Sequence, residues 1–170
     1  MRRVEVTTFN KNWVLLFEEE AQKLHEIFEH EIIEIHHIGS TSVKGMKAKP
    51  TIDILLVVKD LKRIDAFNNA MVSIGYEPKG ENGIPKRRYF QKGGDNRTHH
   101  VHIYEFGNPE IERHLVFRDY LRTHPEDAKI YGNVKEKLSK QFPYDIDSYI
   151  VGKENLVLEI ERKALEWSRN

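Results

Sequence analysis

The sequence predicts an α+β fold: a mixed β-sheet flanked by helices, with a helical C-terminal portion. Three observations predict it. Six of the seven residues from Ile52 to Val58 are large and apolar, which suits a central strand buried on both faces. Alternating segments at 32–38 and 98–106 supply partners for that strand. From Pro109 onward the apolar residues recur at helical spacing to the end of the chain. The expected organisation is one domain over 1–170, with a sheet-building part to about residue 107 and a helical part from about 108.

Residues 4–9 give a weak signal for a short edge strand. Asn10 or Asn12 then caps a helix whose apolar stripe is Trp13, Phe17, Ala21, Leu24 and Phe28. In the strand 32–38, Ile33, Ile35 and His37 share one face and Ile32, Glu34, His36 and Ile38 the other. Gly39-Ser40 ends it, and a polar loop runs to Lys49. Pro50 fits the entry to the apolar strand, since it has no N–H for a ladder. Asp60 caps a second amphipathic helix carrying Leu61, Ile64, Phe67, Met71 and Ile74, which Gly75 stops. The Gly- and Pro-rich stretch 76–97 reads as a hairpin arm or two edge strands. In the strand 98–106, His100, His102 and Tyr104 face one way and His99, Val101, Ile103 and Glu105 the other. Pro109 opens a helix to about His124, Pro125 opens the next, and Asp145 or Asp147 caps the last.

Composition narrows the function classes. With 27 basic and 27 acidic residues the net charge is zero, so no global field favours nucleic acid, and any anion site must be local. The absence of cysteine excludes a thiolate nucleophile, a thiolate metal site and a disulfide framework. No apolar run approaches the roughly 20 residues that span a bilayer, and the N-terminus lacks a signal-peptide pattern, so a cytoplasmic location without membrane attachment is expected.

The chemistry concentrates at Gly39, Ser40, Thr41 and Ser42, followed by Asp53. A glycine at a strand end lets backbone N–H groups approach a phosphate, hydroxyls add donors, and Lys44, Lys47 or Lys49 supplies charge. An ionised aspartate inside a buried strand is costly unless a cation or several donors compensate it. Asp53 is therefore the candidate ligand for a divalent cation bridging phosphate oxygens. His100 and His102 make a candidate metal or proton-transfer pair. Arg87 and Arg88 point opposite ways on a strand, so one of them faces a site, and Arg88 is taken as the phosphate contact. Lys153 lies on the face of Tyr149 and Leu156, where it either snorkels or reaches a ligand in a cleft between sheet and helices; snorkelling is its expected role.

Ile38-Gly39-Ser40-Thr41-Ser42-Val43-x-Gly45 with Lys49-Pro50-x-Ile52-Asp53-Ile54 resembles the signature of the GrpB family, within the nucleotidyltransferase-like superfamily. The resemblance extends to Arg88-Tyr89-Phe90, to Arg97-Thr98-His99-His100-Val101-His102, to the segment Leu115–Arg122 and to Gly152-Lys153. It implies a mixed sheet flanked by helices, a Gly-Ser loop that grips a nucleotide's phosphates, and carboxylates that hold divalent cations. Gly39, Ser40 and Asp53 match those roles. The superfamily's second carboxylate, two residues on, is replaced here by Leu55. Glu105 is the candidate substitute, or His100 and His102 complete a mixed site with Asp53, which favours a transition metal over Mg²⁺.

Three readings follow. The first is binding of a nucleotide or other phosphorylated small molecule, with metal-dependent nucleotidyl transfer involving Asp53, His102 and Glu105 and with Mg²⁺ or Mn²⁺ as cation. The second is a catalytically inactive nucleotide-binding or regulatory module, for which Leu55 speaks. The third is a metal-dependent phosphoester hydrolase using Asp53 with His100 or His102, for which Zn²⁺ is the alternative ion.

Overall fold

The computed structural model describes residues 2–170. Five strands form one mixed sheet in the order β1-β2-β5-β4-β3: β1 Ile32–Ile38, β2 Ile52–Val58, β3 Tyr76–Pro78, β4 Arg87–Lys92 and β5 His99–Glu105. β2 and β5 run parallel, and the other pairs are antiparallel. The most apolar strand thus lies next to the His-rich one, and both sit inside the sheet. Helices α1 Asn12–Phe28 and α2 Asn68–Ser73 belong to the sheet-building part. α3 Pro109–Thr123, α4 Pro125–Gln141 and α5 Ile146–Ser168 follow, the last capped by Asp145, whose carboxylate accepts from the Ser148 N–H at 3.1 Å.

Strand alternation divides the side chains between two faces. Ile52, Ile54, Leu56 and Val58 join Val101, Ile103 and Phe90 in a core with Trp13, Leu24 and Phe28 of α1. The opposite face of the same strands carries Asp53, Leu55, His100, His102 and Tyr104. In the β1–β2 loop, Val43 and Met46 pack among Tyr120, Leu121, Tyr131 and Ile160 of the C-terminal helices. That wedge sets the helices over the polar face.

Three local expectations need correction. The segment 4–9 contributes a single bridge, Thr7 to Ala48, and no strand. The helix expected after Asp60 is a 3₁₀ segment, Leu61–Phe67, continued by the short α2. Leu61, Ile64 and Phe67 are three apart, so a three-residue turn puts all of them on the core. In β1 the register slips between Ile32 and Glu34, so Ile32 and Ile35 both reach the core and Ile33 is exposed.

One buried polar tie holds α1 to the sheet. Glu20 is 3% exposed and accepts from the Tyr76 hydroxyl at 2.8 Å and from the Lys92 ammonium at 2.5 Å. Burial alone raises its carboxyl, but the Lys92 and Tyr76 hydrogen bonds outweigh it and hold the group below its usual range. Glu20→Gln leaves the Lys92 charge unpaired and is expected to cost about 2–4 kcal/mol in urea unfolding at neutral pH. A carboxyl held low in the folded state stabilises above its unfolded pKa. The gap between wild type and variant therefore closes as pH falls below 4.5. A gap independent of pH would show that the charge contributes nothing.

Candidate functional site

Gly39 ends β1 with φ 72° and ψ −174°, a backbone conformation that side chains other than hydrogen hardly adopt. Asp53 fills the space beside it: a Cβ on Gly39 would lie 2.7 Å from Asp53 Oδ2. The loop is braced from within. The Ser42 hydroxyl donates to the Gly39 carbonyl at 2.5 Å, and Thr41 Oγ1 meets His37 Nε2 at 2.8 Å. From α3, Arg122 donates to the Ser42 carbonyl at 3.0 Å and Arg118 to the His37 carbonyl at 3.2 Å.

Parallel pairing places Asp53 opposite His100 and Leu55 opposite His102. Asp53 Oδ1 lies 3.2 Å from His100 Nδ1 and 3.3 Å from His102 Nε2. Burial works to raise the Asp53 carboxyl, and the two histidines overcome it and hold the carboxylate ionised far below its ordinary range. Beyond them, Arg97 reaches His100 Nε2 at 3.1 Å and Arg87 reaches His102 Nδ1 at 3.4 Å. Guanidinium groups only donate, so the outer ring nitrogens accept and the ring protons sit on the nitrogens facing Asp53.

These groups open into a cavity of about 600 Å³ between the sheet and the C-terminal helices. Of the residues nominated from the sequence, Gly39, Ser40, Thr41, Lys49, Asp53, His100 and His102 line it. Ser42 does not: its hydroxyl belongs to the loop. Arg88 does not either, because it shares the parity of Phe90 and leaves by the other face to pair with Asp65 at 2.7 Å. Its neighbour Arg87 takes the cavity position, buried and held by the carbonyls of Glu81 and Asn82. Glu105 sits at the far end of β5 on the opposite face, where its carboxylate accepts from the Leu61 N–H at 3.1 Å. No substitute carboxylate therefore reaches Asp53 from β5, and Leu55 packs fully buried with Ile38 and Tyr104. His36 pairs with Glu34 at the surface.

Sequence reasoning missed the helical wall. His114 of α3 lies with its ring 5.6 Å from His102. Burial first, then the neighbouring His102 and Arg113, lowers its imidazole to about 3, so it is neutral at physiological pH. Tyr131 and Lys135 of α4 and Tyr149 and Lys153 of α5 also face the cavity. The signal was present in the spacing: Lys135 and Lys153 each stand four residues after an inward tyrosine, on the buried stripe of their helices. Lys153 reaches the cavity rather than snorkelling away from it.

Asp53, His100 and His102 suit a metal ion by their chemistry. Their donor atoms all lie within 4.8 Å of one another. The 3.2 and 3.3 Å separations match the edge, about 3.3 Å, of a tetrahedron with metal–ligand bonds near 2.0 Å. Two imidazoles and one carboxylate favour Zn²⁺ or Mn²⁺ over Mg²⁺. A bound ion would take the nitrogens that face Asp53 and leave the ring protons on the outer ones, where His100 and His102 could no longer accept from Arg97 and Arg87.

Known proteins resemble this chain in sequence and fold. The family described as GrpB protein matches residues 3–163. The chain is 52% identical over 168 residues to the UPF0157 protein YqkA of Bacillus subtilis, covering 99% of this chain and 49% of that protein, so it spans about half of that relative's length. The crystal structure of the conserved protein GrpB from Enterococcus faecalis superposes with a TM-score of 0.95 at 44% identity, over 98% of this chain and all of that one. Cid1, in complex with its short product ApU, gives a TM-score of 0.51 at 13% identity, over 75% of this chain and 41% of Cid1. That last likeness shows the fold alone. Among the described residues, no helix is long and apolar enough to cross a membrane.

Proposed function

The chain belongs to the GrpB family and has a nucleotidyltransferase-like fold, and from that premise we propose that it binds a nucleotide or a closely related phosphate compound together with one divalent transition-metal ion. The observation that carries this reading is the convergence of Asp53, His100 and His102 beside Gly39, in a cavity where basic groups outnumber the one carboxylate. Gly39 and Ser40 offer backbone and hydroxyl donors to phosphate oxygens. If metal ligation displaces the histidine contacts of Arg87 and Arg97, each guanidinium keeps its anchors, Glu81 and Asn82 for Arg87 and Gly94 and Gln91 for Arg97, and has donor capacity left for phosphate. Metal and phosphate are then expected to favour each other's binding.

When bound, the ion supplies charge to a phosphoryl oxygen or lowers the pKa of a bound water. With Leu55 in place of a second carboxylate, a two-metal transfer site is not assembled from this strand. A three-ligand set with an open position therefore supports metal-dependent phosphoester hydrolysis as the second reading. His114, next to His102, is held at about 3 and is too weak a base to accept a proton, so it packs as a neutral ring against His102 in either chemistry.

Titration calorimetry with the nucleoside triphosphates, with and without Mn²⁺ or Zn²⁺, tests the reading. Binding is expected to be at least tenfold tighter with metal, and weakened at least tenfold by Ser40→Ala or Asp53→Asn. Silence with every nucleotide, or equal binding by Asp53→Asn, would count decisively against it.

A further inference from the structure

Lys135 is 3% exposed, and its ammonium has no hydrogen-bond partner among the described residues. A buried, unpaired amine is costly, and here the nearest compensation is the face of Tyr131, 4.5 Å away. Lys49 reaches the same helical wall from the β1–β2 loop, and Lys153 stands on it. Their ammonium groups lie 5.2 and 5.1 Å from the ring of Tyr149, whose own hydroxyl is buried without a partner. Among the described residues Asp53 is the one carboxylate lining this cavity, against Lys49, Arg87, Arg113, Lys135 and Lys153. Arg113 already pairs with Glu110 and Glu161. The cations that remain outnumber the Asp53 carboxylate.

We propose that Lys135 and Lys153 on the helical wall, with Lys49 from the β1–β2 loop, form a seat in the cavity for the linked phosphates of a di- or triphosphate. The inference rests on the nucleotide reading above and specifies which end of the ligand goes where. A single orthophosphate carries too little charge to answer three amines, whereas a polyphosphate carries enough and offers several acceptor oxygens. Those oxygens also suit the orphaned Tyr149 hydroxyl. Burial and then repulsion from Lys153 and Lys49 pull the Lys135 amine well below its usual value, with Asp53 the one group opposing. Burial and Lys153 bring Lys49 to about 8. A polyanion reverses the repulsion among the three.

The test uses thermal unfolding of the full chain with inorganic pyrophosphate and tripolyphosphate, matched to chloride and orthophosphate at equal ionic strength, with no metal present. The wild type is expected to be stabilised by the linked phosphates well beyond orthophosphate. Lys135→Met is expected to raise the ligand-free melting temperature by about 2–4 °C, because an unsatisfied charge leaves the interior, and to weaken tripolyphosphate binding at least tenfold. Lys153→Met, at a less buried position, is expected to weaken it in the same direction. A Lys135→Met protein that keeps the full tripolyphosphate response overturns the proposal, and so does a wild type indifferent to it. If tripolyphosphate binds through Lys135 while every nucleotide fails, the seat stands and the nucleotide reading falls. If nucleotides bind with metal and Lys135→Met leaves them untouched, the reverse holds.

Discussion

Asp53→Ala is expected to abolish metal loading while leaving the chain folded. Protein purified without chelators and dialysed against Zn²⁺ or Mn²⁺ is expected to hold close to one ion per chain in the wild type and essentially none in the variant. The affinity loss is set at about 100-fold or more, since removing even an outer-sphere partner costs about 10–100-fold and Asp53 is the only charged ligand of the three. The fold is expected to survive because His100 and His102 keep their outer contacts to Arg97 and Arg87. Their inner nitrogens lose one acceptor at a partly solvated site, which costs about 1 kcal/mol. Asp53→Asn sharpens the experiment, since it keeps an acceptor oxygen and the side-chain volume and removes only the charge. Equal metal content in wild type and both variants would mean that the Asp53 cluster is a hydrogen-bonded strut and not a metal site.

The sheet was legible because strands announce themselves through burial and parity. Val101 and Ile103 alternate with His100 and His102, and that alternation alone put both histidines on the face of Asp53 once β2 and β5 paired in register. Parity was also enough to separate Arg87 from Arg88. It could not say which of the two faced the cavity, because that depends on the register of β4 against β5. Glu105 carried the wrong parity for Asp53 from the start, and the parallel register of β2 and β5 further placed it at the opposite end of the strand pair, beside Val58.

The helical wall was harder to read. A lysine on the buried stripe of a helix is ordinarily one whose charged head escapes to water; the spacing after an inward tyrosine marks Lys135 and Lys153 as inward-facing but does not by itself separate snorkelling from a cavity role. The distinction is tertiary. It depends on Val43 and Met46 wedging the β1–β2 loop against α3, α4 and α5, which brings Lys135 and Lys153 over the polar face of the sheet. The loop that sequence inspection marked for its hydroxyls thus does a second job through its apolar residues.

Gly39→Ala is expected to be strongly destabilising. Two costs coincide there. The φ of 72° with ψ near 180° is close to glycine-only, worth about 1–3 kcal/mol on its own. The new methyl would also stand 2.7 Å from Asp53 Oδ2, 3.1 Å from its Cβ and 3.2 Å from its Cγ, and Asp53 is anchored in an interior strand rather than at the end of a flexible side chain. Together these predict a loss of about 3–5 kcal/mol in urea unfolding. Gly45→Ala provides the comparison, since Gly45 also has positive φ, 82°, but its added Cβ would meet nothing within 4 Å. It is expected to cost about 1 kcal/mol. The difference between the two variants measures the contact with Asp53. If that account is right, Gly39→Ala and Asp53→Ala are not additive: shortening Asp53 removes the oxygen and Cγ that the methyl strikes, so the double variant is less destabilised than the two losses combined. Additive losses, or a Gly39→Ala as mild as Gly45→Ala, would show that glycine is present for its backbone alone and that the loop does not position the aspartate.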